Sequence, residues 1–274
     1  MPEYIHTGHP LDGPRLKIIR AYEHLEAFEH GLNAFVTPTP YRMVGQLDAD
    51  EAFYVYHIEQ SKPMPLSSWM DASEAVTSLR HALDHLAWQL AIVGVRERGE
   101  TREPFDRTEF PIHWREPFAD WKVRDLPDRA VEIIKSLQPY HRGEAAKREL
   151  LWMLHELDIV DKHRLLNFPT AVVESSDTLD ARVQWHAGSL ENGDVFARVP
   201  ADIDVEKDFH PHIKIVVAFP QAGPAGGFTY RILRRIHDYV AFDVLPRFSG
   251  FFPEKPWDLR ELAHLPPPND GDSH

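Results

Sequence analysis

The chain has 274 residues, of which 43% are hydrophobic and 27% charged, with no cysteine and with 30 Lys plus Arg against 43 Asp plus Glu, a formal net charge of -13. A chain of this size buries roughly three quarters of its unfolded surface, and the missing thiols exclude a disulfide scaffold, a thiolate zinc site, an iron–sulfur cluster and a cysteine nucleophile. The acidic balance opposes long-range attraction to nucleic acid or an anionic bilayer unless positive charge is gathered locally. Apolar runs are short and interrupted by charge, so neither a membrane span nor a secretory leader is expected, and the expected location is cytoplasmic.

Pro14 can open a helix, and Ile18, Tyr22, Leu25, Phe28, Leu32 and Phe35 follow at spacings of three and four, which predicts a first helix to about Ala34. Tyr41 to Gln46, the acidic turn Asp48-Ala49-Asp50, and Phe53 to Glu59 read as a hairpin near 41–59. Ser67 and Ser68 are N-cap candidates for a helix to about Val95, striped by Ala72, Val76, Leu79, Leu83, Leu86 and Leu90. Charged coil leads to the short extended piece Phe110-Pro111-Ile112, then to brief helical segments at Pro117–Val123 and Pro127–Leu137, the second ended by Pro139.

A helix is expected from about Glu144 to Leu166, with Leu150, Leu154, Leu157 and Val160 on its apolar face. From residue 168 to 219 the β-rich runs Thr170–Glu174, Ala181–His186, Val195–Val199 and Ile213–Phe219 predict an antiparallel meander, which the hairpin can join. A closing helix is expected over 228–245, stopped at Pro246, and the proline-rich acidic tail 253–274 is expected to be disordered. Helices and strands fall in blocks, so the expectation is one α+β domain over 1–252, with a core of about four main helices and a β-meander beside it. No GxGxxG or Walker A sequence is present, which leaves a nucleotide-cradling loop without support.

Two helices concentrate polar groups. With Leu79 at zero and ~100° per residue, Arg80, Asp84, Trp88, His81 and His85 fall on the face opposite the apolar stripe. A solvated helix face rarely spends a Trp, so this face is expected to be covered or to line a cleft. On the later helix, Asp161 is in line with Leu154 and Leu157, and a carboxylate there needs a partner. Arg80, His85, Lys162 and Arg164 are the groups able to compensate it.

The strings LRHALDHLAWQLA, FPI, SLQPYHRG and LWMLHELDIVDKHRLL, in that order over about residues 65–170, resemble a family of uncharacterised bacterial proteins with an LRxALDHL helix and a DKHRLL helix. That resemblance implies that the two helices belong to one site. Arg80-His81-Ala82-Leu83-Asp84-His85 also resembles the Arg-x4-His motif of the HEPN superfamily of helical, metal-independent ribonucleases. This likeness implies Arg80 as stabiliser of the transition-state phosphate and His85 as general acid/base.

The leading expectation is therefore a His/Asp/Arg cleft between the two helices, with Arg80, Asp84, His85, Asp161 and His163 as catalytic candidates. His81, Trp88, Lys162, Arg164, Tyr140 and His141 are the substrate-binding candidates. RNA or a protein is the expected partner, no cofactor is expected, and self-association stays open. One alternative is a non-catalytic interaction module in which these charges form a buried structural network. Another is a metal-dependent hydrolase using His81, Asp84, His85, His155 and Asp158, because i, i+3 and i, i+4 pairs on a helix can meet one ion.

Overall fold

The first helix opens two residues before Pro14. In the computed structural model, which describes residues 8–50, 52–163, 171–176, 180–186, 189–190, 192–204, 211–214 and 230–252, α1 runs Asp12–Val36. The N–H of Leu11 donates to Nδ1 of His9, and the Asp12 carboxylate accepts the N–H of His9. These bonds occupy amides at the helix entrance, where Pro14, having no N–H to satisfy, fits without loss.

After the hairpin of β1 (Tyr41–Leu47) and β2 (Phe53–Gln60), α2 spans Leu66–Glu97. Its start lies directly behind Pro65, so Ser67 and Ser68 sit inside the first turn instead of capping it. Ser68 is buried, and a Cβ on Gly31 of α1 would stand 2.2 Å from its hydroxyl oxygen. The two helices approach closely there because both residues are small.

The segment expected to be helical at 117–123 contains only a 3₁₀ turn, Asp120–Lys122, while α3 forms at Asp128–Ser136 as expected. The helix expected from Glu144 starts later. Residues Pro139–Arg148 are 3₁₀ turns broken at Gly143, whose φ of 54° suits a residue without Cβ. Glu149 is extended, and α4 follows at Leu150–His163. Near the C-terminus, α5 (Tyr230–Asp238) runs into a π-helical stretch, Tyr239–Val244, and then 3₁₀ turns at Leu245–Phe251. Pro246 therefore does not stop the helical path: it occupies the first turn of the new segment, where its missing N–H costs nothing.

The remaining strands are β3 (Ala171–Ser176), β4 (Gln184–Trp185), β5 (Ser189–Leu190), β6 (Val195–Pro200) and β7 (Pro211–Lys214). They do not form one sequential meander. β6 pairs antiparallel with β2, giving a four-stranded sheet in the order β1-β2-β6-β4, and β3 lies between β5 and β7 in a second, three-stranded sheet. The hairpin thus joins the later strands, and the class is α+β. The tail 253–274 lies outside the described residues.

The chain gathers into two compact units, each drawn from distant segments. Unit 1 comprises Met1–Glu26, Asp71–His163 and Leu233–His274, and unit 2 comprises Ala27–Met70 and Arg164–Ile232. Unit 1 is helical, with Ile18, Leu79, Leu83, Leu86, Leu154 and Ile236 among its buried side chains. Unit 2 holds every described strand, around a core of Ile58, Val183, Leu190, Phe196, Val199 and Ile203. No described helix is long and apolar enough to cross a membrane.

Candidate functional site

Unit 1 contains a pocket of about 230 Å³ lined by α2, α4 and the irregular chain between Glu109 and Lys122. α2 contributes Arg80, whose side chain is only 6% exposed. Its Nη2 donates to Asp84 at 2.8 Å and to the Phe110 carbonyl at 2.7 Å, while the Phe110 N–H donates to the same Asp84 oxygen at 3.0 Å. One carboxylate therefore both compensates the guanidinium and fastens the extended segment to the helix. Nη1 of Arg80 is buried with no hydrogen-bond partner among the described residues.

Among the described residues no strand pairs with the next part of that segment. The buried side chain of Gln138 takes a strand's place, accepting the N–H of His113 at 2.9 Å and donating to the carbonyls of Pro111 and Ile134. The N–H of Tyr140 then donates to the His113 carbonyl. Held this way, His113 and Trp114 line the pocket.

α4 contributes Trp152 and His155, which meet at 5.3 Å between ring centroids because i and i+3 share a helix face. Trp114 lies 6.2 Å from Trp152, with Lys147 and Arg115 over its ring. Lys122 enters from the 3₁₀ turn and pairs with Glu109.

The electrostatics favour neutral bases around a fixed cation. Burial, and next the charge of Arg80, push the His155 pKa down to about 4. Burial alone lowers that of His113. For Lys122 burial acts first and Arg80 second, and its ammonium is held below the usual lysine range. Nδ1 of His155, Nε2 of His113 and Nε1 of Trp152 are buried and without hydrogen-bond partners among the described residues. Together with Arg80 Nη1, these are unspent groups around a single cavity, and unspent buried donors are costly to maintain.

Of the residues singled out in the sequence, Arg80 and His155 meet at this pocket, with Asp84 behind Arg80. His85 does not line it. His85 is turned toward α1, where a Cβ on Gly13 would stand 3.1 Å from its Nδ1, and its pKa is lowered by burial and then by Lys17 and His81. Five residues along a helix turn a side chain by ~140°, which separates His85 from Arg80. His81 and Trp88 are half-buried and likewise outside the pocket.

Among the described residues Asp161 is paired with neither a cation nor His85. It accepts hydrogen bonds from Ser73 at 2.5 Å and Thr77 at 3.4 Å, both on α2. Lys162 pairs instead with Asp158 at 2.7 Å. The rings of Tyr140 and His141 lie 4.4 Å apart at a tilt, outside the pocket lining, with His141 bonded to the Lys135 carbonyl. The His163 side chain and Arg164 lie outside the described residues.

Among the described residues no three His, Asp or Glu side chains gather as a metal ligand set, so the proposed set of His81, Asp84, His85, His155 and Asp158 is not brought together. His113, Trp114, Lys122 and Trp152 are site residues that the sequence did not announce. The signal available for the first two was the His-Trp pair directly after FPI.

No protein-family model, curated protein or solved structure matches the chain.

Proposed function

We propose that unit 1 binds an anionic group, a phosphate or a carboxylate, in the Arg80 pocket. The observation that carries this reading is the guanidinium itself: it is buried at the pocket lining, two of its bonds fix the pocket wall, and Nη1 has no partner among the described residues. A planar fork of donors matches an oxyanion. The cavity, at about 230 Å³, is smaller than the roughly 300–1,000 Å³ typical of drug-sized ligands, so it suits a small anion or one charged end of a larger molecule.

Titration with inorganic phosphate, followed by tryptophan fluorescence and by calorimetry, tests the proposal. Trp114 and Trp152 stand at the site and report its occupation. Saturable binding in the wild type that is lost in Arg80→Met is the expected result. Equal binding in the two, or none in the wild type, would sink it and leave Arg80 as a structural fastening.

Metal-independent cleavage of RNA is the catalytic form of the same reading, favoured by His113 and His155, which line the cavity and each keep one buried ring nitrogen without a partner among the described residues. Arg80 would hold the phosphate, and His155, in place of His85, would accept the proton of the attacking hydroxyl as a neutral base. Cleavage that survives EDTA and disappears in His155→Gln supports it. Cleavage lost in His85→Ala but kept in His155→Gln would return the chemistry to His85.

A further inference from the structure

We infer that Lys122 is the nucleophilic amine of a carbonyl-binding site, and that unit 1 captures a small anionic ketone or aldehyde of the 2-oxo acid class as an imine. The inference rests on the anion-binding reading of this pocket and names its ligand. Lys122 lines the cavity together with Arg80, and its amine lies beside the Glu109 carboxylate. A lysine attacks a carbonyl only as the free amine, and two arrangements favour that form: burial and a neighbouring cation. Both act on Lys122, burial first and Arg80 second.

The same cation then has a second use. Arg80 and Lys122 both line the cavity, and Nη1 of Arg80 has no partner among the described residues, so the guanidinium can take the carboxylate of the ligand while Lys122 takes its carbonyl; a 2-oxo acid carries the two groups on adjacent carbons. The cavity, at about 230 Å³, has room for a molecule of that size. Attack of Nζ on the carbonyl carbon forms the C–N bond and moves one amine proton to the oxygen, giving a carbinolamine. The C–O bond then breaks, and that oxygen leaves as water with the second amine proton, so no oxidant or reductant is required. Glu109, adjacent to the amine, is placed to pass these protons.

Borohydride trapping tests this on the full chain. The protein is incubated with pyruvate or glyoxylate, reduced with sodium borohydride, and mapped by intact mass and peptide mass spectrometry. The expected result is one reduced adduct on Lys122, formed about tenfold faster than on the exposed Lys162, suppressed by inorganic phosphate and absent in Lys122→Met. Lys122→Arg keeps a hydrogen-bond donor beside Glu109; cooperative unfolding of this variant with no adduct separates lost chemistry from lost fold. If phosphate still binds the wild type but Lys122 is unlabelled, or labelling spreads evenly over exposed lysines, the imine is overturned and the anion site stands. If neither pyruvate nor phosphate binds, both readings fall together.

Discussion

The hydroxyl of Ser73 on α2 donates a 2.5 Å hydrogen bond to the carboxylate of Asp161 on α4. With Thr77 as a second donor, the acid that faces the apolar side of its helix is satisfied by neutral hydroxyls and serves as a strut between two helices. Ser73→Ala and Asp161→Ala should each cost about 1–2 kcal/mol, the worth of a hydrogen bond to a charged group plus the stranded partner. The double variant should cost less than the sum, which urea unfolding of all four proteins measures. Phosphate affinity should stay at the wild-type value in all of them.

Arg80 and Asp84 behave as a unit of a different kind. Removing the carboxylate strands a guanidinium that is 6% exposed and releases the Phe110 amide, so Asp84→Ala should destabilise the chain by about 3 kcal/mol. Asp84→Asn keeps an acceptor and should cost clearly less. Thermal unfolding of the pair separates charge compensation from the fastening of the extended segment.

The histidines set a direction for acid sensitivity. His155 in the folded chain protonates only near pH 4, whereas the unfolded chain takes up that proton near pH 6.5. Its contribution is therefore complete above about pH 6.5 and lost as pH falls toward 4, since the unfolded state binds the extra proton in that window. His113, shifted in the same direction, adds to the loss. Urea midpoints measured across this range should drop more steeply for the wild type than for His155→Gln. Bound phosphate, by placing negative charge beside both rings, should raise the two pKa values, and NMR titration of the imidazole protons with and without phosphate gives the shift directly.

Gly94 supplies a purely steric prediction. A Cβ there would lie 2.1 Å from the backbone oxygen of Asp125, and backbone cannot swing aside as a side chain can. Gly94→Ala should cost about 2 kcal/mol or more, visible as a lowered Tm. The displaced loop also carries the Asp125 carboxylate, which is held down to a pKa of about 2, first by its hydrogen bonds to Arg102. Ser68→Ala, at the other tight helix contact, removes atoms and should be tolerated far better.

The α+β class, the hairpin and the two polar helices could be read from the sequence because periodicity and turn residues are local. What escaped was decided at a distance. Pro246 looks like a stop to any local rule, yet it continues the path because it opens a new turn. His113, Trp114 and Lys122 lie in a stretch with no periodicity, whose course is set by Asp84 acting on Phe110 and by Gln138 acting on His113, 26 and 25 residues away. For the site, Arg80 was singled out through the Arg-x4-His resemblance and His155 only as a ligand of the metal alternative, because its position on its helix suited a pair with Asp158. Pairing Arg80 with His85 followed a motif, whereas helix geometry turns them to different neighbours. Asp161 was rightly read as needing a partner, but hydroxyls four residues apart on a facing helix leave no mark in its own neighbourhood.

The bond from the His113 amide to the Gln138 side chain has a kinetic consequence. A strand in a sheet shelters its amides through a ladder that must open as a whole, but this amide is sheltered by one rotatable amide group. Its exchange with deuterated solvent should follow local excursions of the pocket wall rather than global unfolding, and so should be much faster than that of amides in the middle of α2. An occupied pocket, with its wall drawn onto a bound anion, should slow that single amide selectively, giving a one-residue clock for occupancy.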